Sequence, residues 1–333
     1  MIRETTVLLD GLGFPEAPRW HKGKLWFSDQ ATKRVVSVTI DSDRLHVEPE
    51  IVVEVPGQPS GLGWLPDGRL LVVSMTDRRL LRLDPRGLVQ VADLRRLASF
   101  HCNDMVVDRQ GRAYIGHFGY DFVDPSAEAQ RAEILLVTPD DEARVVADGL
   151  GFPNGMAITP DGGTLIVAET FAARLTAFDI AADGDLTRRR IWAAFDRSGF
   201  ETSFNSARVA PDGICLDAEG ALWVASPVGP GQVLRVLPGG AVTDRVRVET
   251  QPFAAMLGGP DRRTLFVCTS VFGETVGSSR IEAVQVDVPG GGFPEARSSI
   301  SPSRHACRGL EAPLVCPTEP ARSPSCHRGQ MGL

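Results

Sequence analysis

The chain lacks several features that would define a function class at once. No run of apolar residues approaches the ~18 that a transmembrane helix needs, so no membrane span is expected. There is no long segment with apolar residues at i, i+3, i+4 and i+7, which argues against a helical fold. Basic residues are not in excess: 35 Lys and Arg against 42 Asp and Glu give a net charge of −7, which argues against a nucleic-acid partner. None of the six cysteines forms a CxxC pair. Cys102, Cys215 and Cys268 are far apart and read as reduced side chains of a cytoplasmic protein. Met1 to Asp10 shows no basic stretch followed by an apolar one, so no signal peptide is expected. No G-x-S-x-G and no G-x-x-x-x-G-K-[ST] occurs, which argues against a serine-triad hydrolase and a nucleotide-phosphate loop.

What is present is a repeat. A short apolar run, a polar turn and a second apolar run recur six times, with turns at Lys22-Gly23, Asp67-Gly68, Gln110-Gly111, Asp161-Gly162, Glu219-Gly220 and Asp261-Arg262. Each unit is a hairpin whose turn demands positive φ. Each continues into a third β-rich run, for example Arg34–Val38 or Val233–Val236. A spacing of roughly 40–60 residues is that of a propeller blade. The fold class predicted is therefore all-β, a six-bladed β-propeller with a central channel over residues 1–290. Thr6–Leu9 is placed to supply the outer strand of the last blade and close the ring. Residues 291–333, rich in Pro, Ser and Arg, are expected to be a disordered tail. The cysteines and histidines in that tail fit no standard zinc spacing.

Aligning the six units on their turns brings Glu16, Ser60, Asn103, Asn154, Asp212 and Ala254 to one position, the start of each innermost strand. In a propeller these starts converge at one mouth of the channel. Ordinary core strands would carry Val or Ile there. Instead Glu16, Asn103, Asn154 and Asp212 offer oxygen donors without His or Cys, a set that suits a hard divalent cation, Ca²⁺ ahead of Mg²⁺, Mn²⁺ or Zn²⁺. The bland alternative is that Asn154-Gly155 and Asp212-Gly213 are turn residues. Four donors in register across blades favour a metal.

Phe14-Pro-Glu-Ala-Pro-Arg-Trp20, Asn103-Asp104 with Asp108 and Gly111-Arg112, Phe152-Pro-Asn-Gly155 and Pro211-Asp-Gly213 together resemble the SMP-30/gluconolactonase/luciferin-regenerating enzyme family over about residues 10 to 290. The resemblance implies that Glu16, Asn154 and Asp212 are metal ligands. It implies that Asn103 contacts substrate or a bound water, and that the reaction is hydrolysis of a lactone, often of a sugar acid. The chain departs from the family pattern two residues before Asn103, where His101 stands in place of Arg, and in the Gly116–Asp121 stretch.

The expected mechanism polarises the lactone carbonyl on the metal while a water attacks. Asp212 is the expected catalytic base, with a metal-bound hydroxide as the alternative. His101 and His117 are candidates for orienting a small-molecule substrate, or are hydrogen-bonded rim histidines. Two other functions compete: a phosphotriester hydrolase, since phosphotriesterase propellers resemble this pattern, and a binding propeller whose metal is structural. The sequence leaves oligomeric state open.

Overall fold

Short apolar runs joined by tight turns fold here as a series of antiparallel sheets. The computed structural model describes residues 2–40, 47–195, 209–229, 231–271, 273 and 276–291. The chain divides into a unit Met1–Ala296 and a unit Arg297–Leu333. The expected tail, residues 291–333, lies outside the described residues apart from its first.

Strands β1 (Ile2–Glu4) and β2 (Thr6–Leu12) precede the blades. Blade one is β3 (Pro15–His21), β4 (Lys24–Asp29), β5 (Arg34–Thr39) and β6 (Glu48–Glu54). Blade two is β7 (Pro59–Trp64), β8 (Leu70–Ser74), β9 (Arg79–Asp84) and β10 (Gly87–Asp93). Blade three is β11 (Cys102–Val107), β12 (Ala113–His117), β13 (Ala132–Val137) and β14 (Ala143–Leu150). Blade four is β15 (Pro153–Ile158), β16 (Thr164–Glu169), β17 (Arg174–Ile180) and β18 (Leu186–Ala194), with one 3₁₀ turn at Thr170–Ala172. Blade five is β19 (Ile214–Leu216), β20 (Leu222–Ser226), β21 (Gln232–Val236) and β22 (Val242–Arg247). Blade six takes β23 (Gln251–Gly258), β24 (Thr264–Ser270) and β25 (Ser279–Gln285) from the end of the described chain and β2 from its beginning.

The six sheets are those of a six-bladed propeller. The strand predicted to close the ring does so: β2 pairs antiparallel with β25, Thr6 opposite Ala283 and Leu12 opposite Ser279. Closure by pairing β2 to the last strand ties the ring and covers the edge of β25. The sequence did not announce β1, which adds parallel to β22 and makes blade five five-stranded. Nor did it announce the outer strands β6, β10, β14, β18 and β22.

The predicted hairpin turns hold. Gly23, Gly68, Gly111, Gly162 and Gly220 have positive φ, and Arg262 takes the same conformation at 60° in blade six. Hydrophobic cores lie between neighbouring blades. Val35 meets Leu62 and Val72 between blades one and two, and Tyr114 meets Met156 and Val167 between three and four. The largest cluster joins Phe27, Trp223 and Phe266 around the closure. Trp20 stacks on Phe266, ring centroids 5.8 Å apart. No helix among the described residues is long and apolar enough to cross a membrane.

Candidate active site at the channel mouth

The inner strands do not run straight into the channel mouth. In blades two, three and four the ladder slips just after the strand's first residue, between Pro59 and Leu62, Cys102 and Met105, and Pro153 and Met156. In blade one the slip falls between Glu16 and Arg19. In blade five Asp212 N–H donates to Ala225 O at 2.9 Å and Ala225 N–H donates to Gly213 O at 3.0 Å, so two residues again face one. Such bulges re-aim a side chain out of the pleat. Here they fall at Ser60, Asn103, Asn154 and Asp212 and next to Glu16.

The glycines after the donors serve packing. Gly155 and Gly213 are absent from the positive-φ residues, so neither is a left-handed turn glycine. A Cβ on Gly155 would sit 2.6 Å from Asp212 O and Ile214 N, and one on Gly213 would sit 2.5 Å from Ala254 Cα. Bare glycine lets the next blade's inner strand close up, which draws the donors together.

Hydrogen bonds link this ring of polar side chains from blade one round to blade five. Ser28 Oγ donates to Ser60 O at 2.6 Å, and Ser60 Oγ donates to Asn103 Oδ1 at 3.3 Å. Asn103 Nδ2 donates to Asn154 Oδ1 at 2.8 Å. Asn154 Nδ2 donates to Thr170 Oγ1 at 3.2 Å, and Thr170 Oγ1 donates to Pro211 O at 2.8 Å, next to Asp212. Asn103, Asn154 and Asp212 are all at most 7% exposed. Glu16 is half-buried and accepts Ala17 N–H at 2.8 Å.

Beneath the ring lies an ion pair between two residues of the family-like motifs, Arg19 and Asp104. Arg19 donates to Asp104 Oδ1 at 2.5 Å and to the backbone oxygens of Pro18, Leu62 and Met105. Loss of water pushes the Asp104 carboxyl up against the pull of Arg19. The sequence did not announce Thr170; its place depends on the 3₁₀ turn after β16, which has no local signature.

Two carboxyls of the mouth are held above their ordinary range. Burial first, then the Asp104 carboxylate, pushes Glu16 up to about 8, against the Ala17 N–H. Burial, then Glu16 and Asp104, pushes Asp212 well above the carboxylate range. Asp212 Oδ1 is buried and has no hydrogen-bond partner. An orphaned carboxylate oxygen among like charges is costly unless a cation meets it. No three His, Cys, Asp or Glu side chains converge as a metal cluster among the described residues. The candidate residues offer two carboxylates and amide oxygens, chemistry of the kind a hard cation takes.

The two histidines stand apart from this ring. His117 is buried; its Nδ1 accepts Gly119 N–H at 3.1 Å, and its Nε2 accepts Glu133 N–H at 3.0 Å and lies 2.7 Å from Glu133 Oε2. Burial holds its pKa below the ordinary value although Glu133 opposes this. His101 stacks on Phe100 with ring centroids 4.0 Å apart, and burial lowers its pKa too. Among the described residues no hydrogen bond joins either ring to Glu16, Asn154 or Asp212.

A closed ring of six blades with buried polar side chains around one channel mouth defines the class: a propeller with a polar centre. The chain belongs to the SMP-30/gluconolactonase/LRE-like family, whose model matches residues 14–271. It is 28% identical over 301 residues to pentonolactonase XacC of Haloferax volcanii, an alignment covering 85% of this chain and 95% of that protein. It is 25% identical to the gluconolactonase of Zymomonas mobilis, covering 79% of this chain and 78% of that one. The solved structure of a calcium-binding protein, regucalcin, from Agrobacterium tumefaciens superposes with a TM-score of 0.70 at 20% identity, over 89% of this chain and 99% of the other.

Proposed function

We propose that the chain is a divalent-cation-dependent lactonase, and that Glu16, Asn154 and Asp212 hold the cation, Ca²⁺ foremost. The observation that carries this is Asp212: a buried carboxylate with an unpartnered Oδ1 beside Glu16 and Asn154. The lactonase names of the relatives support the reaction class, and the calcium-binding relative supports the metal. The free, buried Cys102, Cys215 and Cys268 support a reducing, cytoplasmic setting.

The bound cation would polarise the ring carbonyl and offset the charge that develops on its oxygen. Asn103, held by Ser60 and lying against Asn154, would orient the substrate or the attacking water. Asp212 takes a proton from that water as the water oxygen bonds to the carbonyl carbon. The carbon–oxygen bond of the ring then breaks, the ring oxygen takes up the proton, and a hydroxy acid leaves. His101 and His117 act at the rim, His101 beside the substrate and His117 through the loop it pins.

The test is a pH-indicator assay on a lactone panel. Metal-stripped protein is compared with samples refilled with Ca²⁺, Zn²⁺, Mg²⁺ or Mn²⁺, with Asp212→Ala as control. Acid release that needs metal and is lost in Asp212→Ala is expected. Absence of turnover on every lactone, with a cation still raising the melting temperature, would overturn the reading in favour of a phosphotriester hydrolase or a binding propeller.

A further inference from the structure

The channel mouth carries more than donors. Residues two positions before them include Phe14, His101 and Phe152, on blades one, three and four. Phe152 is buried with φ of 57°, a conformation that bulky residues rarely adopt without a reason elsewhere in the fold. Its ring meets Phe118 at 4.6 Å and Phe171 at 5.0 Å between centroids. Phe122 reaches both Phe118 at 5.5 Å and Phe171 at 5.6 Å. Phe118 also lies 6.1 Å from the His101 ring.

This aromatic wall adjoins the donor ring through the backbone. Thr170, which accepts from Asn154, is followed by Phe171, and Thr170 N–H donates to Phe152 O at 3.1 Å. Phe118 N–H donates to His101 O at 3.0 Å, two residues before Asn103. The wall is only partly closed: His101, Phe118, Phe122 and Phe171 are half-buried, unlike the fully buried Phe27 and Phe266 of the core. Tyr120 joins the wall 6.0 Å from the Phe171 ring, so that only the His101 imidazole and the Tyr120 hydroxyl among these side chains can hydrogen-bond. A polyhydroxylated ring set against the four phenyl rings would find no hydrogen-bond partner in them, whereas an aromatic ring would gain edge-to-face contact.

We infer that the site selects lactones bearing an aromatic substituent, which packs against Phe118, Phe122, Phe152 and Phe171 while the lactone ring faces the donors. This inference rests on the lactonase reading for the reaction, but its recognition element can be tested by binding alone. Turnover of γ-phenyl-γ-butyrolactone, γ-butyrolactone and D-glucono-1,5-lactone is compared for the wild type, Phe171→Ala and Phe122→Ala, with melting curves to confirm folding. The phenyl lactone is expected to exceed the unsubstituted one by about tenfold in kcat/KM, and that ratio to fall to about two or less in both variants. A ratio unchanged in both variants, or preference for the sugar lactone, overturns the inference. If no lactone is turned over, the lactonase reading falls by itself and the cyclic amides decide. Calorimetry showing 5-phenyl-2-pyrrolidinone bound about tenfold more tightly than 2-pyrrolidinone, with the difference lost in the variants, upholds aromatic recognition. Equal binding overturns it.

Discussion

Asn103 and Asn154 are joined across two blades by a single hydrogen bond, Nδ2 to Oδ1, at 2.8 Å. Asn154 is also held from its other side by Thr170. Its amide orientation is thus fixed before any ligand arrives. Removal of a partner that orients a ligand commonly costs 10–100-fold in metal affinity. Asn103→Ala is therefore expected to weaken Ca²⁺ binding by about tenfold as well as to lower turnover. Calorimetric titration checks the first effect. An unchanged Kd with turnover lost would assign Asn103 to substrate alone.

The pH dependence of the metal-free protein follows from Glu16. Its pKa rises from an ordinary 4.5 to about 8 on folding. Between those values the folded chain keeps a proton that the unfolded chain gives up. The unfolded state then binds fewer protons, so stability falls as pH rises through this window. Asp212 shifts in the same direction and adds to the slope. A bound cation would offset the repulsion. Ca²⁺ is accordingly expected to raise the melting temperature more at about pH 8.5 than at about pH 5.5. Melting curves with calcium and with a chelator measure both slopes.

Asp212→Asn separates stability from activity. It removes a carboxyl that must take up a proton on folding and keeps the shape of the side chain. In metal-free protein near pH 8 it should raise stability by about 1 kcal/mol, roughly 2 °C in melting temperature. It should also abolish the calcium response and lower turnover by about 10²–10⁴-fold. Full activity with metal bound would show that Asp212 is not the base.

How far the sequence carried the fold can be argued from particular residues. The inner strands were legible because both faces are buried: β11 and β15 read as apolar runs, and their turns announced themselves as Gly111 and Gly162. The outer strands were not. In β6 the run Glu48–Glu54 is largely exposed, so no face needs apolar residues and no alternation survives. The positions of Glu16, Asn103, Asn154 and Asp212 were legible from register alone. Their bulges, the Arg19–Asp104 pair below them and Thr170 were not, since each depends on strands distant in the chain. The aromatic wall was half-visible: Phe152 sits in a motif, but its contact with Phe122 needs the loop after β12 to fold back.

The glycine after a donor gives the sharpest test of how the mouth is built. From sequence, Asn154-Gly155 was open to two readings, a turn residue and a metal donor. Gly155 lacks positive φ, and its missing Cβ faces Asp212 O and Ile214 N at 2.6 Å. Alanine there would press backbone against backbone between blades four and five, with no flexible side chain to yield. Gly220 offers the contrast, with φ of 81° and nothing within 4 Å of its Cβ position. Gly220→Ala should cost only the conformational penalty, about 1 kcal/mol. Gly155→Ala should cost more, about 2–4 kcal/mol, by overpacking. It should also weaken Ca²⁺ binding, because the strand that carries Asp212 must move away from Asn154. Denaturant unfolding of the metal-free variants gives the stability order, and calcium titration gives the second effect. If Gly155→Ala proved the milder change and left calcium affinity intact, inner-strand contact would not be what gathers the donors.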